Sequence, residues 1–218
     1  MRTFIDSADV EEVREVNAVG LVDGVTTNPS LVSSTDREYR DIIEELTEFV
    51  DGPISVEVIA TDYEGMLEEA REYDTWGENI AVKLPMTREG MQALGTLSDE
   101  GVQTNITLMF SVNQALIAAK NGATMVSPFV GRLDDIGHDG VALIEQIRDV
   151  YDTYGYETDI LAASLRHPKH VEDVALAGAD IATLPPDVAD AMFDHPKTDS
   201  GLASFLEDWG DRESPALR

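Results

Sequence analysis

Short apolar runs recur along the chain at a regular beat, and helix-length amphipathic stretches separate them. The runs are Thr3–Asp6, Gly24–Asn28, Ile54–Ile59, Ile80–Leu84, Thr104–Met109, Thr124–Val130, Asp159–Ser164 and Ile181–Leu184. Between them, stretches such as Tyr39–Val50, Tyr63–Tyr73, Val112–Lys120, Val141–Tyr151 and Val171–Ala177 carry one apolar face at the period of a helix. Strands alternating with helices of this length form βαβ units, and hence a parallel sheet. Eight beats predict an α/β fold, a closed (β/α)8 barrel of the TIM type, in one domain over residues 1–218. The structural alternative is an open doubly wound sheet. No Gly-x-Gly-x-x-Gly follows the first run, which removes the best reason to choose a dinucleotide fold. Beyond the eighth beat, Leu202, Phe205, Leu206 and Trp209 share one helical face, predicting an extra C-terminal helix over residues 199–209. It is expected to pack across the barrel mouth or onto a neighbouring subunit. Residues 210–218 read as a loose polar tail.

Composition narrows the function. The formal net charge is −28, from 43 acidic and 15 basic residues, and this excludes a general binder of nucleic acid or acidic membranes. Hydrophobic residues make up 43%, enough for a core, so the charge does not signal disorder. The carboxylates are dispersed over helix-like stretches such as Glu68–Glu72, with no acidic tail. With only four lysines, such a surface implies a protein of a high-salt cytoplasm, where screening over a few ångströms makes self-repulsion tolerable. The plainer alternative is an ordinary acidic protein, and the size of the imbalance counts against it. Cysteine is absent, which excludes disulfides and thiolate chemistry. No signal peptide is expected ahead of Thr3–Asp6, and no apolar run approaches membrane-spanning length, so the expected location is cytoplasmic.

Lys83 is the one lysine embedded in an apolar run, Ile80-Ala81-Val82-Lys83-Leu84-Pro85. An ammonium in such a place is either a buried ion-pair partner or an amine poised to attack a carbonyl. Side chains alternate along a strand, so parity sorts them into two faces. With Lys83 inward, Ala81 is inward and Val82 meets the helices. The same test pairs Asp6 with Phe4, Asn28 with Thr26, Glu57 with Ser55, Thr107 with Asn105, Ser127 with Phe129, Ser164 with Arg166 and Thr183 with Ile181. All lie at the C-terminal ends of their runs, the rim where barrel enzymes carry their chemistry. One inward polar residue is ordinarily satisfied core structure; a ring at one height would cost several kcal/mol, by order of magnitude, unless it serves a ligand.

Chemistry suggests roles for the ring. A neutral Lys83, its proton discouraged by burial and by Arg132 or Arg166, would attack a ketone and form a Schiff base, an electron sink that permits carbon–carbon cleavage. Asp6 or Glu57 could take a hydroxyl proton, and Glu57 with Thr107 suits a positioned water. Arg132 and Arg166 follow the sixth and seventh strands, where barrels often bind phosphate.

In their order along the chain these residues resemble transaldolase, in its short single-domain branch that also contains fructose-6-phosphate aldolase. The matching pieces are Phe4-Ile-Asp6, Gly24-Val-Thr26-Thr27-Asn28-Pro29-Ser30, Ile54-Ser-Val-Glu57-Val, Val82-Lys83-Leu84-Pro85, Asn105-Ile-Thr107-Leu-Met-Phe110, Ser127-Pro128-Phe129-Val-Gly131-Arg132 and Ala162-Ala163-Ser164-Leu-Arg166. The resemblance implies that Lys83 forms a Schiff base with the C2 carbonyl of a ketose phosphate, sedoheptulose 7-phosphate or fructose 6-phosphate. It implies that Asp6 takes the C4 hydroxyl proton, that Glu57 and Thr107 hold the catalytic water, and that Asn28 and Ser127 bind the retained dihydroxyacetone unit. Thr26 and Phe129 belong to the same substrate site, and Arg132, Ser164 and Arg166 would hold the distal phosphate. The dihydroxyacetone unit would pass to an aldose phosphate, in the pentose phosphate pathway. No cofactor or metal is implied, because a protonated imine does the work of a Lewis acid. Short members of the family look like ring-forming homo-oligomers, pentamers or decamers, and the Leu202–Trp209 face would suit docking on the next subunit.

Two alternatives stay open. In the aldolase members the positions of Glu57 and Phe129 look like glutamine and tyrosine, so this chain is of the transaldolase type at both. A lyase releasing free dihydroxyacetone is the nearer alternative, and a catalytically silent sugar-phosphate-binding barrel the remoter one. The four histidines do not read as a metal site, since Pro168 separates His167 from His170 and no carboxylate ligand is evident beside them.

Overall fold

A computed structural model describes residues 1–210. Eight strands alternate with the helices: β1 (Arg2–Asp6), β2 (Gly24–Thr26), β3 (Ile54–Glu57), β4 (Ile80–Pro85), β5 (Thr104–Met109), β6 (Met125–Pro128), β7 (Asp159–Ala162) and β8 (Ile181–Leu184). Each pairs in parallel with the next, and β8 closes back onto β1, so the sheet is a closed barrel and the open-sheet alternative falls. The helices are α1 (Val10–Ala18), α2 (Pro29–Ser33), α3 (Tyr39–Thr47), α4 (Tyr63–Asp74), α5 (Arg88–Glu100), α6 (Val112–Lys120), α7 (Val130–Asp134), α8 (Gly140–Tyr154), α9 (Pro168–Leu176), α10 (Pro186–Ala191) and α11 (Pro196–Trp209).

Local chemistry accounts for most helix starts. Asp9, Asp62, Thr87, Ser111 and Asp139 each accept a backbone N–H of the first turn through a side-chain oxygen. The apolar run Gly24–Asn28 is cut short as a strand because Asn28 turns from ladder to cap. Its Oδ1 accepts the Leu31 N–H at 3.1 Å, and Pro29 supplies the first residue of α2. Likewise Thr124–Val130 ends as a strand at Pro128, and Val130 opens α7.

Strand parity separates two apolar regions. Ile5, Val56, Val82 and Leu84 belong to the large layer between sheet and helices, whereas Phe4, Ala81, Met125, Leu161, Ala163 and Ile181 fill the barrel interior. Gly24 is required there. A Cβ on it would lie 2.6 Å from the Phe4 ring, which fills the interior at the level where the two residues are paired. Above this apolar floor come hydrogen-bonded polar pairs. Ser127 Oγ donates to Asn105 Oδ1 (2.6 Å), Asn105 Nδ2 donates to Ser55 Oγ (3.0 Å), and the Thr26 and Thr183 hydroxyls lie 2.6 Å apart. Part of the polar ring is therefore satisfied interior structure. Of these five residues, Thr26, Ser127 and Thr183 also reach the mouth.

The C-terminal helix begins earlier than its apolar period indicated, at Pro196 rather than residue 199, because the His195 side chain caps it by accepting the Lys197 N–H at 3.1 Å. It does not cover the mouth: none of its residues lines the cavity described below or is buried within the chain. Leu202, Phe205 and Leu206 are 58%, 73% and 64% exposed. Of the expected tail, residues 211–218 lie outside the described residues. Among the described residues no helix is long and apolar enough to cross a membrane.

Candidate active site

The C-terminal ends of the strands surround a cavity of about 640 Å³. Every residue predicted for the site lines it except Arg166. Lys83 and Glu57 are register partners on β4 and β3, which sets their inward side chains side by side. Lys83 Nζ lies 2.9 Å from Glu57 Oε2, with side-chain exposures of only 7% and 15%. Nζ also donates to the Thr27 carbonyl at 3.1 Å. A buried ammonium is tolerated only with such a carboxylate and such an acceptor. The charged side chain in contact with Lys83 is thus Glu57.

Asp6 ends β1, beside Thr26, whose hydroxyl donates to Asp6 Oδ1 at 2.8 Å. Burial pushes the Asp6 carboxyl above the usual carboxylate range, and the Lys83 charge and the Thr26 bond offset this only in part. Thr107, on β5, carries a buried hydroxyl with no protein partner among the described residues, facing the same cavity. A buried hydroxyl left unpaired at a cavity wall is a place for water or a ligand oxygen.

Two non-glycine residues take left-handed backbone at this rim, Leu108 (φ 56°) and Ser164 (φ 60°). Each costs of order 1–3 kcal/mol, and both line the cavity. At Leu108 the β5–β6 register shifts between Ile106 and Met109, interrupting the ladder just after Thr107. Ser164 is held by α7: Val130 N–H donates to the Ala163 carbonyl (3.0 Å) and Gly131 N–H to the Ser164 carbonyl (3.1 Å). A Cβ at Gly131 would stand 2.2 Å from that carbonyl oxygen, so only glycine permits the approach. The following residue, Arg132, stacks its guanidinium 4.7 Å from the Phe129 ring centroid, and Phe129 meets Phe110 edge to face at 5.8 Å.

Arg166 departs from expectation. It is exposed and forms a two-pronged ion pair with Asp135, outside the cavity lining. Its neighbours His167 and His170 serve the local fold. The His167 ring caps α9 through the His170 N–H (3.1 Å), and His170 Nε2 lies 3.1 Å from Asp134 Oδ2. Among the described residues no group of three or more histidines and carboxylates is arranged to hold a metal. Parity missed Ser30 and Leu31, which reach the cavity from α2, and Ser34, from its C-terminal cap, because it reads strand faces only. It also missed Leu108, whose bulged backbone breaks the alternation.

Chemically, the mouth combines a paired amine, a carboxyl raised by burial, an unpaired hydroxyl and an exposed arginine. The family model for Transaldolase/Fructose-6-phosphate aldolase matches residues 3–214. A "Probable transaldolase" of Methanococcus maripaludis (strain C5) is 58% identical over 209 residues, covering 96% of this chain and 97% of that one. One from Geotalea uraniireducens is 56% identical, covering 96% and 98%, and one from Lactiplantibacillus plantarum is 54% identical, covering 96% of each. A solved structure from Sinorhizobium meliloti, in an open-loop conformation, superposes with a TM-score of 0.59 over 87% of this chain and 52% of that one. At 8% identity it shows the barrel fold alone. Its sequence therefore makes this chain a member of the transaldolase/fructose-6-phosphate aldolase family.

Proposed function

We propose that the protein is a transaldolase that moves a dihydroxyacetone unit from a ketose phosphate to an aldose phosphate through a Schiff base on Lys83. The observation that carries this reading is the buried Lys83–Glu57 pair, 2.9 Å apart, in one cavity with Asp6. Transfer of the ammonium proton to Glu57 along that contact frees the amine to attack the ketone carbon. The carbinolamine then loses water, held between Glu57 and the unpaired Thr107 hydroxyl. Asp6 takes the C4 hydroxyl proton, the C3–C4 bond breaks, and its electron pair moves into the iminium to give an enamine. The aldose phosphate leaves. The enamine carbon then attacks the carbonyl of the acceptor aldose, Asp6 returns the proton to the new hydroxyl, and hydrolysis releases the product ketose.

Asn28 and Ser127 hold the retained unit, with Thr26 and Phe129 shaping its pocket. The side-chain oxygen of Asn28 is engaged as a helix cap and the Ser127 proton is donated to Asn105. What they offer a substrate is the Asn28 amide NH2 and the Ser127 lone pairs. Arg132 and Ser164 receive the distal phosphate. Arg166 joins them only by leaving Asp135, an exposed pair that solvent screens and that is therefore readily separated. Phe129 favours transfer over release of free dihydroxyacetone, because it provides no hydroxyl to protonate the enamine.

Borohydride added with fructose 6-phosphate should fix a three-carbon or six-carbon adduct on Lys83, and turnover should require an acceptor such as erythrose 4-phosphate. Free dihydroxyacetone without acceptor would point to the lyase, and an unmodified Lys83 to a non-catalytic barrel. The acidic surface supports work in the cytoplasm of a cell at molar salt, within the pentose phosphate pathway, so the assay belongs in molar salt. The exposed apolar face of α11 supports assembly into a homo-oligomer, a pentamer or decamer. Light scattering should give a multiple of the 23.8 kDa chain; a single-chain mass would end that part of the proposal.

A further inference from the structure

The β2–β3 ladder contains a substitution that frees an acceptor for the amine. Val25 N–H donates to the Pro53 carbonyl and Thr27 N–H to the Ser55 carbonyl, each at 3.0 Å, in the regular two-residue step of parallel strands. Continuing that step, the next rung would run from Glu57 N–H to the Thr27 carbonyl. It is not made. Glu57 N–H donates instead to the phenol oxygen of Tyr39, at 3.0 Å, and the Thr27 carbonyl receives Lys83 Nζ.

The direction of the remaining bonds follows from donor supply. The Thr27 hydroxyl donates its one proton to the Ser55 carbonyl at 2.8 Å, so in its 2.7 Å contact with Tyr39 the phenol is the donor. A single relay results: Glu57 N–H to Tyr39, Tyr39 O–H to Thr27, Thr27 O–H to Ser55. Tyr39 opens α3, outside the barrel wall, and its ring stands edge-on to Tyr73 (6.0 Å) and Trp76 (5.8 Å). That packing fixes the phenol oxygen at the wall. Burial also raises the phenol above its ordinary acidity range, so it remains a neutral donor.

We propose that Tyr39 is a positioning residue for the chemistry at Lys83: its phenol takes the Glu57 N–H off the Thr27 carbonyl and leaves that carbonyl to hold the amine opposite the Glu57 carboxylate. The inference rests on the Schiff-base reading above. It goes further by naming a helix residue, with no access to substrate, that sets the aim of the nucleophile. Without the phenol, the Glu57 N–H has its ordinary acceptor within the ladder. The rung closes, the Thr27 carbonyl is shared, and Lys83 loses one of its two anchors.

The test compares wild type with Tyr39→Phe, Thr27→Val and the double variant. Tyr39→Phe is expected to lower kcat about tenfold with KM within about twofold, and to slow borohydride-trapped adduct formation on Lys83 by the same factor. Thr27→Val, which removes the other end of the relay, should do likewise. The double variant should fall about tenfold rather than a hundredfold, because both changes break one relay. Because the rung can close, the melting temperature of Tyr39→Phe should stay near that of wild type. Trapping and kcat within twofold of wild type in Tyr39→Phe, or a loss confined to KM or to melting temperature, would overturn the proposal. Multiplicative losses in the double variant would overturn it as well. Should Tyr39→Phe not fold, the rung cannot replace the phenol and the proposal fails. Thr27→Val then reports separately whether the relay matters. Failure of the underlying reading looks different, since wild type itself would then give no adduct on Lys83.

Discussion

Lys83→Met is expected to lower kcat by about 10⁴-fold or more, because the residual site can bind sugar phosphate but can form no imine. Methionine keeps the length and flexibility of the lysine stem, so the barrel interior around Ala81 should repack little. The cost falls on Glu57, whose carboxylate loses its 2.9 Å partner while only 15% exposed. Removing one member of a buried pair costs about 3–5 kcal/mol, and the open cavity beside Glu57 reduces this by admitting water. Adding Glu57→Gln to Lys83→Met should therefore recover most of the lost stability while leaving activity absent. Urea unfolding beside a coupled transfer assay separates the two effects. Turnover within tenfold of wild type in Lys83→Met would remove covalent catalysis from the account, however well the double variant folds.

The alternation that identifies the barrel is legible because the strands are buried on both faces and the helices packed between them on one, so the two periods leave different marks on hydropathy. Parity then located Asp6, Glu57 and Lys83, since a closed sheet leaves inward side chains nowhere to go but the interior or the mouth. Parity did not distinguish those two levels. Ser55 and Asn105 share the inward face with the reactive groups, yet neither lines the cavity: they bond to each other, and Asn105 to Ser127, beneath it. Height depends on register between strands, and one strand's sequence carries no record of its neighbour's offset.

What escaped the sequence lies off the strands. Position after the seventh strand puts Arg166 near the phosphate site and parity puts it on the Ser164 face, but Ser164 sits at φ 60°, and past a left-handed residue the alternation no longer holds. The guanidinium turns instead to Asp135, 31 residues away in the chain, a pairing that only α7 and the β7 end brought together can create. In the sequence Tyr39 is simply the start of an apolar helical face. Its hydroxyl matters because a carbonyl two strands from Lys83 is diverted from its ladder, and no spacing in the chain encodes that. Ring packing and phenol chemistry are served by the same residue, so the apolar pattern hides the polar role.

Asp6→Asn should separate stability from activity in opposite directions. The folded-state pKa of Asp6 is raised, chiefly by burial, so the folded chain holds the Asp6 proton more tightly than the unfolded chain does. Between the two pKa values the unfolded state binds fewer protons, and stability falls as pH rises through that window. Above that window the folded chain carries the full penalty of an ionised, buried carboxylate; below the ordinary carboxylate range the penalty is gone. Asparagine carries no such penalty and keeps an oxygen for the Thr26 hydroxyl. The variant should thus be more stable than wild type at pH 7, by about 2–4 °C in Tm if the gain is about 1 kcal/mol. That advantage should shrink toward zero as the pH is lowered through the carboxylate range. Activity should move the other way, with kcat down about 10²- to 10⁴-fold for want of a base at the C4 hydroxyl. Imine formation precedes that proton transfer, so borohydride should still mark Lys83 in Asp6→Asn to the wild-type extent. A variant less stable than wild type at pH 7 would mean that the Lys83 charge outweighs burial at Asp6. A variant that cleaves ketose phosphate at the wild-type rate would move the proton transfer to Glu57, the other carboxylate within reach of the bound ketose.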